Sequence, residues 1–157
     1  MTLQMRNRFF AAIFLASLLC GLVSASAADN RKQKAAKFEI QLLWGTDADK
    51  SPNEAHKPVD PDVGKKLKSL PLKFKNYFLV NKRVVEADVN KTVKEKISEK
   101  CAVEITNMSG SKFDFALYSK GKQLYERSQR FPVGEILALG GNAPDSTAWL
   151  VVLKRIE

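Results

Sequence analysis

Between Lys112 and Tyr118 every second side chain is apolar: Phe113, Phe115 and Leu117 alternate with Asp114 and Ala116. A period of two is the mark of a strand with one face in a core and the other in water. The same period returns along most of the chain, and this constrains the fold more than any other feature. "KFEIQLLW" places Phe38, Ile40, Leu42 and Trp44 on one side of a strand and Glu39 and Gln41 on the other. "FKNYFLV" and "RVVEADV" read as two strands with a break at Asn81-Lys82, and Val85, Ala87 and Val89 alternate with Glu86 and Asp88 in the second. "KTVKEKI" fits either period, with Val93 and Ile97 four apart. It is assigned as a strand because its odd positions continue into Cys101, Val103 and Ile105. "NMSGS" is a turn cluster, and "SKGK" is expected to close a tight hairpin to "QLYERSQ", with Gly121 supplying a positive φ. "EILALGG" and "TAWLVVLKRI" complete the set. The last is apolar almost throughout, as expected of a strand in the middle of a sheet. A glycine pair at Gly140-Gly141 reads as the turn between them.

Short strands with turns at such spacing predict an all-β protein, a sandwich or partly open barrel of about eight mostly antiparallel strands. One departure is "DPDVGKKLKSLP". Asp60 can cap a helix that Pro61 opens, Val63, Leu67 and Leu70 form a narrow apolar stripe, and Pro71 ends it, so one short helix is expected near residues 61–70. Gly64 within it is unfavourable by ~1 kcal/mol relative to Ala.

The first residues carry a different pattern. Arg6 and Arg8 precede an apolar run from Phe9 to Val23, and Ala25-Ser26-Ala27 follows as a cleavage site. Residues 1–27 therefore read as a secretory signal peptide, 28–36 as a flexible lead-in and 37–157 as a single β-rich domain of ~120 residues. Cys20 raises the alternative of a lipoprotein signal, but Leu18 and Leu19 stand where small residues are needed. Export to the periplasm or the extracellular space is the expectation, with no transmembrane segment after cleavage. Removal of the signal takes away Arg6, Arg8 and no acid, lowering the formal charge from +9 to +7. Cys101 is then the one cysteine of the domain, and a buried apolar role on its strand is expected for it.

Candidate chemistry is sparse. The stretch "WGTDADKSPNEAHKPVD", Trp44 to Asp60, gathers Asp47, Asp49, Glu54, Asp60 and the single histidine, His56. Read as a calcium loop from Asp47, it has Asp49 and Ser51 at ligand positions, but Pro52 and Pro58 replace the required glycine and glutamate. A looser cage of Asp47, Asp49 and Asn53 is the residual metal candidate, and no cofactor is expected. A Cys101–His56 dyad has no support from spacing, and a serine triad lacks the G-x-S-x-G elbow. Glu39, Glu86, Asp88, Glu104 and Asp114 alternate with apolar neighbours as solvent-facing residues do. Trp44 and Trp149 are expected to pack in the core, and no catalytic residues are assigned.

The strongest functional candidate is "GKKLKSLPLKFKNYFLVNKR". Lys65, Lys66, Lys68, Lys73, Lys75, Lys82 and Arg83 are the candidate anion-binding residues, with Phe74, Tyr77 and Phe78 among them. Cations interleaved with aromatics hold anionic chains by charge and stacking. Lysine point charges rather than arginine forks argue for weak specificity, and no specific nucleic acid is expected as partner.

Laid out in order, "QLLWGTDADKSP", "LKFKNYFLVNK", "SEKCAVEITN" and "DSTAWLVVLK" resemble a group of small exported bacterial β-rich proteins. The resemblance implies one compact exported β domain and brings no activity, cofactor or partner. The functional expectation is an exported non-enzymatic interaction or structural module of the bacterial envelope or extracellular space. Its partner would be an envelope protein or an anionic polysaccharide. The alternative is a binder of anionic polymer or membrane surface through Lys65–Arg83.

Overall fold

The computed structural model describes residues 35–51, 53–72, 74–143 and 147–157. The expected signal peptide, nearly all of the lead-in, Pro52 and Lys73 lie outside the described residues. Strand β1 (Ala36–Thr46) begins inside the expected lead-in, because Ala36 is fully buried and pairs with Ala87. It is followed by a two-residue strand β2 (Lys57–Pro58), helix α1 (Pro61–Lys68), β3 (Asn76–Ala87), β4 (Thr92–Ser98) and β5 (Cys101–Asn107). The chain closes with β6 (Lys112–Ser119), β7 (Lys122–Arg130), β8 (Ile136–Asn142) and β9 (Ala148–Arg155). Two antiparallel sheets result, ordered β2-β3-β1-β9-β8 and β4-β5-β6-β7. This is the sandwich of the two expected architectures; no closed barrel forms. Among the described residues no helix is long and apolar enough to cross a membrane.

The inward side chains of β1 (Phe38, Ile40, Leu42) meet those of β5 and β6 (Val103, Ile105, Phe113, Phe115, Leu117) in the core between the sheets. Phe38 packs edge-on to Phe113 with ring centroids 5.1 Å apart, and Phe131 from the segment after β7 closes the cluster against Phe115 at 5.0 Å. Each such ring contributes ~1.5–3 kcal/mol by leaving water. The reverse face of the larger sheet builds a second, smaller core. Leu43, Leu150 and Val152 face Val63 and Leu67 of α1, which explains why β1 and β9 are buried on both sides.

Two expected breaks are absent. No turn occurs at Asn81-Lys82; β3 is one continuous strand of 12 residues. The register slips there instead, with Leu42 opposite Asn81 and Leu43 opposite Leu79, so Val80 is an inserted bulge residue. Asn81 turns its amide to donate to the Ile97 carbonyl at 2.7 Å, which suits a polar residue to mid-strand. The Gly140-Gly141 pair lies within β8, opposite Leu150 and Trp149 of β9. By contrast the Ser119–Lys122 hairpin forms as expected, with Gly121 at φ 79° and Lys120 at φ 50° as its two central residues.

Candidate functional site

Helix α1 lies across the outer face of the larger sheet because Val63 and Leu67 fall on one side of it. Asp60 stands at the N-cap position, as expected, but its side chain makes no capping hydrogen bond. Its Oδ2 accepts from Lys82 Nζ at 2.9 Å and from Gln41 Nε2 at 2.7 Å. Lys82 also pairs with Glu39 Oε2 at 2.8 Å. A carboxylate aimed at two donors on the sheet is better satisfied there than at the exposed helix end, and the Lys82 bond holds the Asp60 carboxyl below its ordinary range. Glu39 is thus drawn into this cluster and is not the solvent-facing residue expected, its side chain being 15% exposed. Gln41 is buried among these charges, and its Oε1 has no hydrogen-bond partner.

This geometry divides the seven candidate cations. Lys82 is tied between Asp60 and Glu39, and Arg83 lies 3.7 Å from Glu95. Lys73 is outside the described residues. Lys65, Lys66, Lys68 and Lys75 have no acidic partner among the described residues. At 100° per residue, Lys65 and Lys68 are neighbours on the outer side of α1, whereas Lys66 falls on the opposite flank. The structure therefore brings Lys68 and Lys75 to one place, with Lys65 next to Lys68 on the helix surface, sets Lys66 on the other flank, and ties Lys82 and Arg83 to carboxylates.

Between that flank of α1 and the start of β3 is a cleft of about 450 Å³. Leu67, Leu70, Leu72, Phe74, Tyr77 and Phe78 are among its lining residues, together with Lys68, Lys75 and Asp49. The cleft owes its shape to two local causes. The chain leaves α1 at Ser69, whose hydroxyl donates to the Lys66 carbonyl at 2.7 Å, and Leu70 and Leu72 then fold over the second core. Opposite them, Tyr77 lies over Gly45, where a Cβ would come 2.6 Å from the ring. Burial of Tyr77 pushes its hydroxyl pKa up. The cleft was not legible from the chain, although apolar Leu70, Leu72 and Phe74 beyond the end of the helix were the available signal.

The other candidates resolve into local structure. Asp47 Oδ1 accepts the Lys75 backbone N–H at 3.0 Å, and Asn53 Oδ1 accepts that of Ala55 at 2.9 Å. Asp49 lies at the cleft. No group of three His, Cys, Asp or Glu side chains able to hold a metal occurs among the described residues. His56 Nδ1 is 2.7 Å from Ser51 Oγ, and its ring packs on Trp44 at 6.1 Å. Ser51 Oγ in turn accepts the Asn53 N–H at 3.3 Å, so the Ser51–His56 contact belongs to turn bonding within the loop. Cys101 is buried beside the intersheet core, and burial pushes its thiol up to about 11, the opposite of an activated nucleophile. Trp149 is half-buried against the same core, while Trp44 lies with Phe78 at 6.2 Å near the end of the sheet. Glu104 is bonded by Lys94 at 2.6 Å and Tyr118 at 2.9 Å on the outer face of the smaller sheet.

In comparisons with protein-family models, curated proteins and solved structures, no match to this chain was found.

Proposed function

We propose that this chain is an exported, non-enzymatic β-sandwich interaction module of the bacterial envelope or extracellular space that contacts an anionic partner through the lysine surface beside α1. The observation that carries the reading is the division of the cations. Lys82 and Arg83 face carboxylates at 4 Å or less, whereas the ammoniums of Lys68 and Lys75, which share one cleft, and of Lys65, next to Lys68 on the helix, face none among the described residues. Unpaired, exposed cations on one surface attract anions at little desolvation cost, and they do so over about a Debye length, ~8 Å at physiological salt. The N-terminal Arg6–Ala27 pattern supports export, and the resemblance to small exported β-rich proteins points the same way. The anionic partner is a polymer such as an acidic polysaccharide, or the surface of an anionic membrane.

The test is retention on an anionic matrix across a salt series. The reading expects elution at markedly higher salt than for the Lys65→Glu, Lys68→Glu, Lys75→Glu triple variant. A control with Lys112→Glu, Lys120→Glu and Lys122→Glu, of equal charge change, is expected to stay close to wild type. Equal losses from both triple variants would show a response to net charge alone and end the reading.

A further inference from the structure

We infer that the cleft between α1 and the start of β3 binds an anionic single-chain amphiphile, a long-chain carboxylate taken up as a monomer. This rests on the reading that the adjoining lysines meet anions, and it adds what lies between them. A volume of about 450 Å³ falls within the ~300–1,000 Å³ of small-molecule sites. Among the apolar and aromatic residues that line it, Leu67 is buried, while Leu70, Leu72, Phe74, Tyr77 and Phe78 are half-buried. Apolar surface left open to water in a concave site favours an apolar occupant.

The one side-chain amide in the lining, that of Asn76, is already engaged. The Asn76 amide donates to the Ala48 carbonyl at 3.0 Å. Besides Lys68, Lys75 and the Tyr77 hydroxyl, the lining offers few side-chain donors to orient a sugar. An extended peptide would need a long free strand edge, and β3 is paired with β2 at Leu79 and Phe78, leaving Asn76 and Tyr77 as the open edge at the cleft. Charge selects the head group: Lys68 and Lys75 stand at the cleft, with Lys65 on the adjoining helix surface, against Asp49 in the lining and Asp47, whose Oδ1 holds the Lys75 backbone N–H at 3.0 Å. An apolar tail between the walls would therefore leave its carboxylate at the lysines. Asp49 weakens that contact.

The experiment titrates the full chain with dodecanoate below its micellar concentration, reading tryptophan emission and melting temperature. Trp44 reports because it packs on Phe78, a wall residue. Saturable binding of one dodecanoate per chain is expected, with no response to acetate or to dodecyltrimethylammonium. Phe74→Ala and the Lys68→Gln, Lys75→Gln double variant should each weaken it about tenfold, and Asp49→Asn should tighten it. Leu70→Ser serves as the wall variant if Phe74→Ala fails to fold. Equal binding of dodecanoate and dodecyltrimethylammonium, unsaturable binding, or unchanged affinity in a folded wall variant would overturn the proposal. Capture by phosphatidylglycerol vesicles without dodecanoate binding would also overturn it, while leaving the lysine surface as a membrane contact. Saturable dodecanoate binding without retention on the anionic matrix would support the cleft and remove the wider surface reading.

Discussion

Lys82 Nζ lies 2.9 Å from Asp60 Oδ2, a bond that pins the start of α1 to the middle of β3. It converts two residues with other apparent purposes, a helix cap and an anion site, into a structural tie. Lys82→Ala is expected to lower stability by ~1 kcal/mol, since Asp60 is partly exposed and water screens the pair. The pH dependence follows from the shifts. The Asp60 carboxyl is lowered chiefly by its bond to Lys82, so its contribution is present above the unfolded pKa and lost as pH falls below about 4. Lys82 is raised chiefly by its bond to Glu39, so its contribution is full below about pH 10 and lost above that. Urea midpoints of wild type and Lys82→Ala should therefore differ at pH 7 and converge toward pH 3.

Gly140 is required by its neighbour and not by a turn. A Cβ there would collide with the Trp149 carbonyl oxygen and with Leu150 Cδ2. Because one obstacle is backbone, β8 and β9 would have to part, and Gly140→Ala should cost ~2 kcal/mol or more. At Gly141 the nearest atom is the Trp149 ring at 3.7 Å, an ordinary contact, so Gly141→Ala should cost less than ~1 kcal/mol. Thermal melts of the two variants side by side check the contrast.

Asn107 joins the ends of three segments from a fully buried position. Its Nδ2 donates to the Ala87 carbonyl at 2.9 Å, and its Oδ1 accepts the Gly110 N–H at 2.6 Å. Asn107→Leu removes both bonds and leaves a buried carbonyl unpaired, for an expected loss of ~2–3 kcal/mol in denaturant unfolding. Asn107→Asp keeps the acceptor but loses the donor and buries a charge, so it should not rescue stability.

Cys101 should behave as a core residue. At pH 8 its labelling by a thiol reagent is expected to be slow in the folded protein and to accelerate only with unfolding. Its folded thiol titrates at about 11, above the unfolded value of ~8.5, so the folded state holds the proton longer. The associated stability is complete below ~pH 8.5 and declines as pH rises toward 11. The stability gap between wild type and Cys101→Ala should narrow over that window.

Phe38→Ala should be the most damaging of these changes, at ~3–5 kcal/mol, because the ring touches Phe113, Phe115 and Phe131. An equilibrium melt compared with the Gly140→Ala variant measures it.

What the chain determined by itself was the alternation. Phe113, Phe115 and Leu117 point inward because successive residues of any strand face opposite ways, and a one-sided sheet must bury one set. The same local physics placed Pro61 at the first turn of the helix and Gly121 in the hairpin. Tertiary structure decided what depends on partners far along the chain. Asn81-Lys82 looks like a turn until β1 supplies a bulge register and Ile97 an acceptor. Gly140-Gly141 looks like a turn until Trp149 and Leu150 occupy the space of one Cβ. Seven cations look alike until Glu39, Asp60 and Glu95 select two of them. Periodicity is written in neighbouring residues, but pairing, clearance and charge balance are set between segments that only the fold brings within a few ångströms.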